Sequence, residues 1–153
     1  MEQVALEIIN LQKNFGEKTV HHDISFRLLS GEILGLFGVS GSGKSVILRS
    51  IIGLEKPDRG KVIFEGKDLC ALNEHQLVYA RKKIAYVFQN GALFDSLTVE
   101  DNLAYSLREH TTLPEHEIRQ KVDTMLDLID MRGTNHLLPA ELSGGMQKRA
   151  GLA

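Results

Sequence analysis

Gly38-Val39-Ser40-Gly41-Ser42-Gly43-Lys44-Ser45 reads G-x-x-x-x-G-K-S, the pattern of a phosphate-binding loop. Glycines let the backbone take conformations that a Cβ forbids. Successive N–H groups can then converge on one concavity and hold phosphate oxygens. Lys44 brings a mobile positive charge to the terminal phosphates, and the Ser45 hydroxyl suits a magnesium ion that bridges two of them. The flanks fit. Glu32 to Phe37 is a short apolar run of the kind that forms a buried strand. Ser45 to Ile52 has apolar residues at helical spacing, and Gly53 offers a stop. Strand, glycine loop and helix is the order the motif requires. A helix beginning near Gly43 adds its positive dipole end to the site.

The bulk of the chain sets limits. Its 153 residues, 42% hydrophobic and 25% charged, suffice for one ordinary globular core. A net charge of −2 gives no support for a nucleic-acid binder. No apolar run approaches the ~20 residues of a membrane helix, and Met1 to Phe15 does not read as a signal peptide. The one cysteine, Cys70, has no internal disulfide partner, which fits a reducing cytoplasm. The six histidines show no metal-ligand spacing and are read as surface or structural. His21 and His22 are adjacent, which in a strand sends them to opposite faces.

Before the loop, Val4, Leu6 and Ile8 alternate as a strand, with a register change at Ile9 and Leu11 that suggests a bulge. Phe15 to Lys18 reads as a turn, and Ile24, Phe26 and Leu28 as a second strand. Beyond the loop, Lys56 to Gly60 is a turn and Val62 and Phe64 a short strand. Asn73 and Gln76 form a capping box for a helix to about Lys82, and Ile84 to Phe88 reads as a buried strand ending at Gln89. Thr98 caps a helix carrying Val99, Leu103, Ala104 and Leu107. Pro114 opens another, whose stripe is Ile118, Val122, Met125, Leu126 and Ile129. The expected fold is α/β: a small N-terminal antiparallel β-portion and phosphate-loop core over residues 1–97, a helical subdomain over 98–145, and the start of a last helix over 146–153.

Leu142-Ser143-Gly144-Gly145-Met146-Gln147 resembles the L-S-G-G-Q signature of ATP-binding-cassette (ABC) ATPases, with Met146 inserted ahead of Gln147. The chemistry is again phosphate recognition, through a hydroxyl, exposed backbone N–H groups and a helix N-terminus. The motif lies about 100 residues after the phosphate loop with a strand-terminal glutamine between them, as in that family. The resemblance covers essentially the whole chain and implies a P-loop ATPase fold with ATP and Mg2+ as cofactors. It implies that Phe15 stacks on adenine, that Gly38 to Ser45 bind phosphates, and that Ser45 and Gln89 complete the magnesium shell. Asn90 to Ser96 would face an integral membrane permease. Ser143 to Gln147 would close on the nucleotide of a second cassette, paired head to tail in a homodimer.

Phe88-Gln89-Asn90-Gly91-Ala92-Leu93-Phe94, Leu107 to Thr111 with Leu113-Pro114, and Glu141 to Met146 resemble, more narrowly, the cassette of Mla-type phospholipid transporters, also described as toluene-tolerance systems. That resemblance implies a membrane-anchored lipid-binding subunit as a further partner, no nucleic acid, and a peripheral place on the cytoplasmic face of the inner membrane. The alternatives are another importer-type cassette, a cassette acting on DNA or ribosomes, or a nucleotide-binding remnant without hydrolysis. Family members continue into an apolar strand ending in aspartate, a water-positioning glutamate and a later histidine. None of these positions exists here, so no catalytic set is complete. The expectation is an N-terminal fragment, with part of the core sheet missing and no significant ATPase activity of its own.

Overall fold

The computed structural model describes residues 3–89 and 91–153. Asn90, expected at a partner-facing segment, lies outside them. The chain divides into two compact units, one ending at Ala85 and the other running from Tyr86 to Ala153.

The first unit is built on an antiparallel sheet in the order β2-β1-β3-β4. Strand β1 (Val4–Phe15) turns at Gly16, with φ +59°, into β2 (Lys18–Leu29). The register change expected near Ile9 and Leu11 is a bulge at Asn10, whose φ is +49°. It shifts the pairing of β1 with β2 between Ile8 and Leu11, and with β3 (Arg59–Phe64) between Ile9 and Gln12. β4 (Lys67–Asp68) closes the sheet. Leu6, Ile8 and Leu11 of β1 and Val62 of β3 are buried against Ile47 of α1 (Lys44–Ile51) and Leu77 of α2 (Glu74–Arg81). The capping box is present: Asn73 Oδ1 accepts from the Gln76 N–H at 2.9 Å and Gln76 Oε1 from the Asn73 N–H at 3.0 Å. From α2, Arg81 donates to the Ile52 and Gly53 carbonyls at the end of α1, at 2.8 and 3.0 Å, and pairs with Glu74.

Two expected strands are not formed. Glu32 to Phe37 and Ile84 to Phe88 carry no strand structure, and Ile33 and Phe37 are 96% and 97% exposed. The reason is pairing. An apolar run becomes a strand only where a neighbour takes up its N–H and C=O groups, and no such neighbour is found among the described residues.

The second unit is helical. Thr98 Oγ1 accepts from the Asp101 N–H at 3.1 Å and starts α3 (Val99–His110). Pro114 precedes α4 (Glu115–Leu128) as its N-cap residue. The expected stripes meet: Val99, Leu103 and Ala104 of α3 and Ile118, Val122 and Leu126 of α4 form one buried cluster. Met131, Leu142 and Ala150 of α5 (Gly144–Ala150) complete it. Arg108 joins α3 to α4 at the surface, pairing with Asp101 at 2.9 Å and Glu115 at 2.6 Å. That pairing holds both carboxyls below their usual range and raises the guanidinium further. Exposed pairs of this kind contribute about 1 kcal/mol or less, so the apolar cluster carries the unit. Leu126→Ala is therefore expected to lower stability by about 3 kcal/mol, read from the urea midpoint, whereas Arg108→Ala lowers it by about 1 kcal/mol or less.

Candidate functional site

The phosphate loop contains two glycines in the left-handed region, Gly41 at φ +78° and Gly43 at φ +92°. Gly43 is the N-cap residue of α1, and no side chain caps that helix. The Val46 N–H already donates to the Gly43 carbonyl at 2.8 Å, which leaves the Lys44 and Ser45 N–H groups to an incoming acceptor. Lys44 opens the helix with its side chain folded back on the loop. Its Nζ donates to the carbonyls of Gly38 and Val39 at 2.7 and 2.8 Å, and lies 3.4 Å from Ser42 Oγ. Ser45 is exposed on the first turn of α1, where its hydroxyl is free to reach a ligand. The arrangement concentrates positive charge and N–H donors in one place, which suits an anion with several oxygens.

Strand β2 supports this loop. A Cβ at Gly43 would lie 2.5 Å from His21 Nε2 and 2.6 Å from Val20 Cγ1. His21 is only 4% exposed, while His22 is exposed, so the alternation expected of adjacent strand residues holds. Neither His21 ring nitrogen finds a hydrogen-bond partner among the described residues. Burial holds its imidazole below the usual value of 6.5. Sequence reasoning treated this residue as surface or structural. No sequence signal marked its burial: Thr19 and Asp23, two positions away on either side, are polar and exposed.

Phe15 ends β1 in the same unit, 47% exposed, with Lys13 Nζ 5.1 Å from its ring centroid. Gln89 and the serine-glycine motif belong to the second unit. Gln89 is exposed at a turn closed by the Gly91 N–H donating to the Phe88 carbonyl at 3.0 Å. Ser143 Oγ accepts from the Met146 N–H at 3.3 Å and so caps α5. Leu142 and Met146 anchor the motif in the apolar cluster, and the Gln147 amide donates to the Pro139 carbonyl at 2.8 Å. Ser143, Gly144 and Gly145 are left facing solvent. Among the described residues no group of three His, Cys, Asp or Glu side chains converges as a metal site.

A family model described as ABC transporter matches residues 21–153. The chain is 40% identical over 153 residues to the intermembrane phospholipid transport system ATP-binding protein MlaF of Haemophilus influenzae, and covers 58% of that protein's length. It is 43% identical over 150 residues, 98% of its own length, to the probable ribonucleotide transport ATP-binding protein mkl of Mycobacterium tuberculosis, covering 42% of that one. An ATP-binding cassette solved as a dimer in a post-hydrolysis state with ADP and Pi superposes with a TM-score of 0.87 at 29% identity, over 96% of this chain and 67% of the other. The chain thus spans about half the length of the curated relatives it matches.

Gly43→Ala is expected to weaken binding of inorganic tripolyphosphate at least ten-fold, in order of magnitude, because the new methyl must displace β2 or the loop at a left-handed φ. Calorimetric titration checks it. The His21 imidazole has a second consequence. Unfolded, it takes a proton near 6.5; folded, only below that. Stability is therefore whole above the unfolded value and is lost as pH falls through the lower folded one. His21→Leu should flatten this part of the profile, seen by comparing thermal midpoints at about pH 7 and about pH 5.5.

Proposed function

The chain belongs to the ABC transporter family, and we propose on that premise that it is part of the ATP-binding subunit of a transporter, coupling ATP binding and hydrolysis to phospholipid movement between membranes. The observation that carries the nucleotide reading is the uncapped start of α1 behind a left-handed Gly43, with Lys44 beside it. Gly38 to Ser45 hold the phosphates. Lys44 exchanges its loop carbonyls for the terminal phosphate oxygens. Phe15 receives the adenine on its exposed face. Ser45 offers an oxygen ligand for Mg2+, which neutralises phosphate charge when bound; the same role for Gln89 rests on the resemblance of its position in the sequence alone. Ser143 to Gly145, presented outward by Leu142 and Met146, act on the ATP of a second copy, so hydrolysis belongs to the head-to-tail dimer.

The phospholipid reading is supported by the likeness to MlaF along the whole chain. Under that reading the protein sits peripherally on the cytoplasmic face of the inner membrane, with a permease and a membrane-anchored lipid-binding subunit as partners. The likeness to mkl supports a second reading, ribonucleotide transport, on slightly higher identity over nearly the same length. In the whole protein, Lys44→Ala is expected to abolish ATPase activity and most nucleotide affinity. Ser143→Arg should instead spare binding by the isolated chain and block turnover by the dimer. Equal loss of binding in the two variants contradicts the head-to-tail arrangement. The transport readings separate on the assembled complex: phospholipid vesicles raise phosphate release under the first, and added ribonucleotide in lipid-free detergent raises it under the second.

A further inference from the structure

Lys13 is 9% exposed on β1, yet it bears a charge that must be compensated there. Its Nζ pairs with Glu55 Oε1 at 2.5 Å and donates to the Lys56 carbonyl at 2.7 Å, with Asp58 Oδ1 at 3.9 Å. Residues i and i+2 of a strand share a face, and Nζ stands over the Phe15 ring, 5.1 Å from its centroid. That is within range of a cation–π contact. The partners of Lys13 are themselves tied down. Asp58 Oδ2 accepts from the Asn14 N–H at 2.6 Å and from Asn14 Nδ2 at 3.1 Å, and the Asp58 N–H donates to the Gln12 carbonyl at 2.9 Å. The Glu55 N–H donates to the Arg49 carbonyl in the last turn of α1, at 3.2 Å. A continuous set of bonds thus runs from the helix that begins at the phosphate loop, through Glu55 and Lys13, to the ring at the end of β1.

We propose that Lys13 is a positioning residue for the nucleotide base: held by Glu55 and the Lys56 carbonyl, it covers one face of Phe15 and fixes the ring so that the opposite face receives a purine. The proposal rests on the reading of Phe15 as the base platform. It explains why the ring, though half exposed, has one face covered. It also explains a charged residue at a nearly buried site, where an apolar side chain would pack at no greater cost. Base and phosphates belong to one ligand, so their two supports must keep a fixed separation, and the Glu55–Lys13 link sets it.

The test compares the full chain with its Lys13→Met, Lys13→Arg and Phe15→Ala variants, by calorimetric titration with ATP and with inorganic tripolyphosphate. Phe15→Ala should weaken ATP about ten-fold, the worth of one base stack, and leave tripolyphosphate unchanged. Lys13→Met should weaken ATP about three-fold, with tripolyphosphate again unchanged, and Lys13→Arg should restore ATP binding, because a cation returns to the ring face. If Phe15→Ala weakens ATP while Lys13→Met does not, the positioning role is wrong and the platform stands. Equal loss of both ligands in Lys13→Met makes Lys13 a strut of the fold and overturns the proposal. A Phe15→Ala chain that binds ATP like the wild type removes the platform, and the proposal with it.

Discussion

The conformation of one residue governs the phosphate end of this molecule. Gly43 must sit in the left-handed region for the loop to turn into α1 with its first N–H groups pointing outward. The space where a Cβ would go is filled by Val20 and His21. Two independent constraints, backbone strain and close approach, therefore fall on one position. β2 thereby supports the loop directly as well as pairing with β1. A buried imidazole without a partner costs on the order of 1–3 kcal/mol, and the close packing under Gly43 is what the molecule has in its place.

Helix α1 is short, and its two ends are treated differently. At its end, Arg81 brings a guanidinium to the carbonyls of Ile52 and Gly53, the charge that a helix C-terminus favours. Its start is left without a cap. The chain that leaves it, from Glu55 to Asp58, then binds Gln12 to Asn14 of β1. The phosphate loop, the helix behind it and the strand that ends in Phe15 are consequently one bonded body within the first unit.

Much of this was legible from sequence because it is local. The capping box at Asn73, the cap at Thr98, the apolar stripes of α3 and α4 and the bulge near Asn10 each depend on residues a few positions apart. The phosphate loop was legible for the same reason, since its glycines and lysine are contiguous. What failed was non-local. Glu32 to Phe37 and Ile84 to Phe88 have the composition of buried strands, but composition does not supply a ladder partner. Burial of His21 beneath Gly43 and seating of Lys13 between Glu55 and Phe15 join residues 22 and 42 positions apart in the chain. No period or motif encodes such pairs. The outward presentation of Ser143 to Gly145 was half legible: the turn is in the motif, but the anchoring of Leu142 and Met146 in the helical cluster is not.

Lys44 makes the loop its own provisional guest. With Nζ on the carbonyls of Gly38 and Val39, the cation already neutralises part of its own loop. Under the proposed function, binding is an exchange reaction, in which the lysine would relinquish two carbonyls and a neighbouring hydroxyl before it gained anything from a ligand. Such an exchange acts as a threshold. A weakly charged or short anion offers too little to displace the internal contacts, while one with several terminal oxygens replaces them with a surplus. Selection for the length and charge of the phosphate chain would then be partly written into the loop's own hydrogen bonds.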